Sequence, residues 1–445
     1  MNALLQGGPL RRTLVPTEKQ FLIRIAVFLL LALGTASADP ILNLVNQVAQ
    51  SQYTDYQLAL QNMGLGLYGG PAYNQGYRNR YNSGGSATDS LGFQEANLYL
   101  HDVFNGMKAW APTLTVAQQS DYLNVIAELP GTDPDPAIRN RIFIISGHYD
   151  HPQGNWEAPG GDDNASGTAA VLEAARVMSR YQYRSTIRFI AWGGEEGWMY
   201  GSWSYVQNVI GRNVGSGADP NHQNVVGMLN LDMILRPYND NQPAAPSDLD
   251  LGTRVAYPEC QAWADAFRSA AAVYAPSLYI DPVTHGSDYY EWYASDQGPF
   301  MKSEDGYLYP GLIVAENTCH EIWGGSHPWY HTANDASDGL AGAMYDYGFA
   351  TAVVRASVAL LAQQAGIIEP LVHPSIHSFS ITNGTAYIGV TNLTETATNY
   401  LQRRLDWLDS RWTNLQTWVT SSPAANLQEA LPTNSQAHFR IMSAK

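Results

Sequence analysis

Between about residues 124 and 365, short apolar runs alternate with stretches whose apolar residues recur at spacings of three and four. Strand period alternating with helix period is the signature of an α/β fold with a mainly parallel core sheet. The runs "NVIAELPG", "IFIISG", "IRFIAW", "VVGMLNL" and "GLIVAE" are the expected strands. Residues 167–181, "GSWSYVQNVIG", "CQAWADAFRSAAAVYA" and about 341–364 are the expected helices. "GTDPDP", Gly131 to Pro136, is turn chemistry and reads as a hairpin joining the first two strands.

The flanks differ in character. Residues 39–123 are rich in Gly, Tyr and Asn, with a helix expected near Phe93–Lys108, and read as the opening layer of the same domain. After Pro370 come short alternating runs such as "HSFSIT", "TAYIGVT" and "AHFRIMS". They predict a small all-β, sandwich-like module. The expected organisation is therefore a leader over 1–38, a main α/β domain over 39–367 with a mixed, mainly parallel sheet flanked by helices, and a β module over 368–445.

The leader reads as an export signal. Arg11, Arg12, Lys19 and Arg24 precede the apolar run Ile25–Gly34, and Ala36 and Ala38 fit cleavage after Ala38. That run is short against the roughly 20 residues of a membrane span, so the expectation is a secreted protein, extracellular or periplasmic, with no membrane attachment after cleavage. A formal net charge of -16 argues against nucleic acid or an anionic membrane as partner. Charged residues are only 14% of the chain, against about 25% in a typical soluble domain. The polar surface must rely on Asn, Gln, Ser, Thr and Tyr, as in many exported proteins. Cys260 and Cys319 leave two readings open, one disulfide or two free thiols. The sequence does not set the oligomeric state.

In an open parallel sheet, ligands bind at the carboxyl ends of the strands. The residues just beyond each expected strand are therefore informative. His148, Tyr149 and Asp150 come after the second, Glu195 and Glu196 after the third, Asp232 after the fourth, and the loop after "GLIVAE" holds His320, His327 and His331. Asp162 and Asp163 stand before the helix entered through "GGDDNASG". Each residue alone reads as a cap or a solvated loop side chain. Converging on one sheet edge, they form a thiolate-free His/Asp/Glu set suited to zinc or a similar divalent ion. The adjacent pair Glu195 and Glu196 needs a further device, because neighbours in a regular strand point to opposite faces. Gly193 and Gly194 supply it by breaking the strand.

These residues form recognisable motifs. "SGHYDH", "PGGDDNASG", "AWGGEEG", "LNLDM" and "WYHTAND" resemble, in order and spacing, those of metallopeptidase family twenty-eight, the secreted di-zinc aminopeptidases and their relatives. "SDQGPF", Ser295–Phe300, is similar to a further segment of that family, with Gln297 where histidine is usual. The resemblance implies two zinc ions. His148 and Asp232 would ligate one, Glu196 and His331 the other, and Asp163 would bridge them, with a cis peptide following it. It also implies that Asp150 orients the first histidine from behind. Glu195, free of metal, would be the general base. Tyr330 is placed either to donate to an oxyanion or to pack beside the site.

The function implied is hydrolysis of the N-terminal residue of peptide substrates with a free N-terminus. Alternatives within the fold are a carboxypeptidase acting on small peptides and a glutaminyl cyclase, which works with one zinc. A metal-free receptor-like binding protein ranks last, because no expected ligand is missing.

Overall fold

The computed structural model describes residues 39–444, apart from 83–88, 120, 153–155, 212–221, 238–247, 303–307, 371–374, 383–384, 392–397, 405–412, 420–423 and 431–437. The expected export signal lies outside the described residues. Among these residues no helix is long and apolar enough to cross a membrane.

The centre is an eight-stranded sheet. Its strands are β1 (Thr115–Gln119), β2 (Asn124–Leu129), β3 (Ile142–His148), β5 (Thr186–Trp192), β6 (Val225–Leu231), β7 (Asp248–Gly252), β8 (Tyr279–His285) and β9 (Gly311–Ala315), in the order β1-β2-β5-β3-β6-β9-β7-β8. β5, β3, β6 and β9 run parallel. The edges are mixed: β2 is antiparallel to β5, β1 to β2 and β7 to β9. This is the mixed, mainly parallel sheet the sequence predicts.

The continuous apolar runs of the inner strands follow from burial on both faces. Phe143, Ile145, Ile187, Phe189, Leu229 and Leu231 enter one core with the helices Ala165–Met178, Pro258–Tyr274 and Tyr347–Ala365. Their alternates Ile144, Ile190, Trp192 and Met228 enter a second, smaller core with Tyr205, Val206 and Phe300. The segment before residue 124 adds the helices Gln50–Gln61 and Leu91–Met107, whose Tyr53, Leu60, Phe93, Leu100 and Phe104 join the larger core. The helices Gln50–Gln61 and Leu91–Met107 thus cover the same core as the central sheet.

The expected hairpin at "GTDPDP" is not formed. β5 lies between β2 and β3 and pairs with both, because a strand apolar on both faces belongs inside the sheet. Residues 131–136 lead instead into the short helix Pro136–Arg139, whose N-cap Asp135 accepts from the Ala137 N–H at 2.9 Å. The hairpin is one connection earlier, between β1 and β2. The thiols of Cys260 and Cys319 are free, which decides between the two readings left open.

Two further strands, β4 (Tyr181–Tyr183) and β10 (Ile367–Pro370), pair antiparallel. A division at 367/368 therefore falls inside a strand that is paired to the main unit. Beyond it, six strands between Ser375 and Ala444 make two three-stranded antiparallel sheets.

Candidate metal centre

The parallel register brings the motif residues to one edge. His148, the last residue of β3, is paired with Trp192, the last of β5. The two chains therefore leave the sheet together. Gly194 then takes φ 75°, a left-handed conformation that suits glycine. Irregular backbone follows, freeing Glu195 and Glu196 from the two-faced geometry of a strand.

One carboxylate grips that turn. Asp150, fully buried, accepts from the Glu195 N–H at 3.1 Å and the Glu196 N–H at 3.2 Å. It also stands 3.6 Å from His148 Nδ1, beyond ordinary hydrogen-bond length. The resemblance implies that Asp150 orients the histidine, whereas its hydrogen bonds hold the two glutamates.

The entrance to the helix Ala165–Met178 is fixed in a comparable way. Asn164, not an aspartate, is the N-cap: its side-chain oxygen accepts from the Gly167 N–H at 2.8 Å while its amide donates to the Leu231 carbonyl at 2.9 Å. The cap thus ties the helix start to the end of β6. Gly167 allows this approach, since a Cβ there would stand 2.1 Å from the Leu231 oxygen. The Asp163–Asn164 peptide is cis, as the resemblance implies.

Asp163 divides its oxygens between two imidazoles. Oδ1 lies 3.3 Å from His148 Nε2 and Oδ2 lies 3.1 Å from His331 Nε2. His148 Nε2 is also 3.4 Å from Asp232 Oδ1, and His331 Nε2 is 3.2 Å from Glu196 Oε2. Two groups of donors able to hold a metal ion result, His148/Asp163/Asp232 and Asp163/Glu196/His331, joined at Asp163. Glu195 stands further off, with Oε2 3.9 Å from His148 Nε2, although it also falls in a group with His148 and Glu196.

Several of these buried atoms lack a hydrogen-bond partner. They include Asp163 Oδ2, Glu196 Oε1 and His331 Nε2; His148 Nδ1 is also unpartnered but lies on the Asp150 side of its ring. Buried polar groups are rarely left so, and a set of orphaned oxygen and nitrogen donors around shared points fits a divalent cation of the zinc type.

The electrostatics agree. Burial raises Glu195 well above the usual carboxylate range, although His148 pulls it down. Burial, then Asp163, pushes Glu196 up to about 7. Burial lowers the imidazole of His331, but the hydrogen bonds and charges of Asp163 and Glu196 outweigh it and carry the group to about 10. For His148 the carboxylates of Asp232 and Glu195 likewise overcome burial. Carboxylates crowded this closely want positive charge between them.

Backbone strain collects here too. Of the non-glycine residues with positive φ, Trp198, Met199, Met233 and His331 all lie just beyond strand ends at this edge or in the loop that closes it. Each costs on the order of 1–3 kcal/mol, and such residues cluster at functional sites.

Other sequence-predicted residues fall differently. Tyr330 stacks on His331 with ring centroids 3.7 Å apart. Burial and then Asp163 raise its phenol above the ordinary range, so it stays a donor. His320 turns away and pairs with Asp288 at 2.7 Å. His327 joins Asp162, not the principal group. Gln297 is buried and binds the Asn230 side chain at 3.2 Å and the Trp292 carbonyl at 3.2 Å.

The structure adds supports beyond those predicted from the sequence. Asp335 accepts from the backbone N–H of both Asp162 and Asp163 and from the Tyr345 hydroxyl. Ser295 donates to Asp232 Oδ2 at 2.6 Å. Asp296 accepts from Ser202, and burial, opposed by His148, pushes its carboxyl up to about 8. All three lie inside quoted motifs, so their presence in "WYHTAND" and "SDQGPF" was a usable signal.

The model of peptidase family M28 matches residues 124–348, half of the chain. The chain belongs to this family. A probable zinc metalloprotease of Pyrenophora teres f. teres is 40% identical over 116 residues, 25% of this chain and 21% of that protein. An aminopeptidase of Pseudomonas aeruginosa is 33% identical over 122 residues, 27% of this chain and 20% of that protein. The chain thus matches about a fifth of the length of these curated relatives. Among solved structures, the Legionella pneumophila LapA aminopeptidase aligns with a TM-score of 0.54 at 17% identity, over 75% of this chain and 76% of that one. At that identity it supports the fold: a zinc-exopeptidase-like α/β sheet.

Proposed function

We propose that this M28 chain is a secreted di-zinc aminopeptidase acting on peptides with a free N-terminus. The observation that carries the reading is Asp163, whose two oxygens face two different imidazoles, each with its own second carboxylate. In this reading His148 and Asp232 would hold one zinc, Glu196 and His331 the other, and Asp163 would contribute to both. When bound, the metal pair supplies Lewis acidity to the scissile carbonyl and to the attacking water.

The remaining steps belong to the protein. Glu195 takes the proton of the attacking water as the C–O bond forms and returns it to the departing amine as the peptide C–N bond then breaks. Asp150 holds both glutamate N–H groups and thereby aims Glu195 and Glu196 at different points. The protonated Tyr330 phenol, stacked on His331, is available to the developing oxyanion.

The test uses aminoacyl-anilides over a panel of side chains, with and without a chelator. Free-amine substrates should be hydrolysed, chelator should abolish turnover and added zinc should restore it. An N-acetylated anilide cleaved as fast as the free amine would rule out the aminopeptidase assignment.

A further inference from the structure

Behind Asp163 lies another set of buried polar side chains, which the proposed reaction does not use. Asp162, Glu316 and His327 are 0%, 0% and 2% exposed. Two successive N–H groups after β6 take one oxygen from each carboxylate. Leu235 donates to Asp162 Oδ1 at 2.9 Å, and Arg236 to Glu316 Oε2 at 2.5 Å. The other oxygens, Asp162 Oδ2 and Glu316 Oε1, have no hydrogen-bond partner, and neither has either ring nitrogen of His327. One donor atom from each of the three residues lies within 4.8 Å of the other two.

Facing carboxylate oxygens in a dry interior are costly unless something positive stands between them. Spacing indicates what that is. His327 Nε2 is 3.4 Å from Asp162 Oδ2, longer than the roughly 2.7–2.9 Å of a charge-assisted hydrogen bond. Two donors on a tetrahedral ion at about 2.0–2.1 Å stand roughly 3.3 Å apart. The donor pairs around Asp163 show the same spacing, 3.1 to 3.4 Å.

Charge points the same way. The local carboxylates are Asp162, Glu316 and Asp335, whose oxygens accept from the Asp162 N–H. Against them stands the guanidinium of Arg236, the cation facing Glu316. One guanidinium does not balance three crowded carboxyl groups, and a divalent cation among them would favour their ionised forms.

We propose that Asp162, Glu316 and His327 bind a further divalent cation, zinc by the chemistry of their oxygen and nitrogen donors, distinct from the pair at Asp163. It is a structural ion. It joins the loop carrying Asp163, the residue that follows β9 and the loop leading to His331, so its role is to hold the catalytic loops in register.

The test is anomalous diffraction at the zinc edge from crystals of zinc-loaded, dialysed full-length protein, with metal analysis in solution. The expected map has a peak between Asp162, Glu316 and His327 besides those at Asp163. Glu316→Gln should remove that peak alone and lower bound zinc from about three to about two per chain. Wild-type density at the Asp163 centre only would overturn the proposal and leave the di-zinc reading intact. Density at neither place would overturn both, whereas density at Asp162 alone would uphold this site and sink the other. Because the wild-type map decides, the proposal stands or falls even where a Glu316 variant fails to fold.

Discussion

Glu195 and Glu196 are adjacent in the chain and keep different company. Glu196 Oε2 lies 3.2 Å from His331 Nε2, whereas the nearest imidazole nitrogen to Glu195 is His148 Nε2 at 3.9 Å. In the proposed reaction Glu195 is a base that must keep its lone pairs for a proton and Glu196 a ligand that must give one up, so the two carboxylates should respond differently to loss of charge. Glu195→Gln should lower kcat by at least about 10²–10⁴-fold, the usual yield of general acid–base catalysis, with zinc content unchanged. Glu196→Gln should release metal from one site before any effect on chemistry is counted. Atomic absorption on dialysed proteins separates them, and equal metal loss in both would end this division of labour. Strand-end position and motif order made both residues readable in the sequence. The double backbone grip of Asp150 was not, because it depends on where a turn sends two N–H groups, which no side-chain pattern encodes.

At the scale of elements, β2 and the inner strands were readable, whereas β1, β7 and β8 were not. β3, β5, β6 and β9 advertise themselves through continuous apolar runs. β7, "DLDLG", and β8, "YIDPVTH", carry charge in a strand and did not. Their cost is measurable at Asp248. Burial first, and then the neighbouring Asp250, raise its carboxyl from 3.8 to about 6. The folded state therefore holds this proton more tightly than the unfolded state. The stability it contributes is complete below about pH 3.8 and is lost as pH rises through about 6. Asp248→Asn should consequently stabilise the protein at pH 8 by roughly 1 kcal/mol, allowing for solvent screening. That is a Tm rise of about 2 °C. The gain should shrink steadily as the pH is lowered towards 4. Calorimetry of the two proteins across this range is the check, and a gain independent of pH would contradict the electrostatic cause.

Across the whole molecule, the family match begins at residue 124, yet the site loops rest on a residue well before it. Arg80 is fully buried. Its guanidinium donates to the carbonyls of Leu60 at 2.8 Å, Tyr149 at 2.8 Å, Pro159 at 2.5 Å and Gly160 at 2.9 Å, while its own carbonyl accepts from the His151 N–H at 3.1 Å. One side chain thus bolts the helix Gln50–Gln61 to the loop carrying Asp150 and to the turn that leads into Asp163. Nothing in the Gly-, Tyr- and Asn-rich opening segment marks Arg80, because a buried cation satisfied by backbone carbonyls has no sequence partner to pair with it. Burial lowers the group to about 10, so it remains a cation at neutral pH. Replacing it with methionine keeps the stem and strips four carbonyls of their donors, at about 1–3 kcal/mol for each that water cannot reach. The expected result for Arg80→Met is a loss of several kcal/mol in urea unfolding, accompanied by weaker zinc retention in the fraction that stays folded. An unchanged urea midpoint would show that the opening layer only covers the core and that the site loops hold their shape without it.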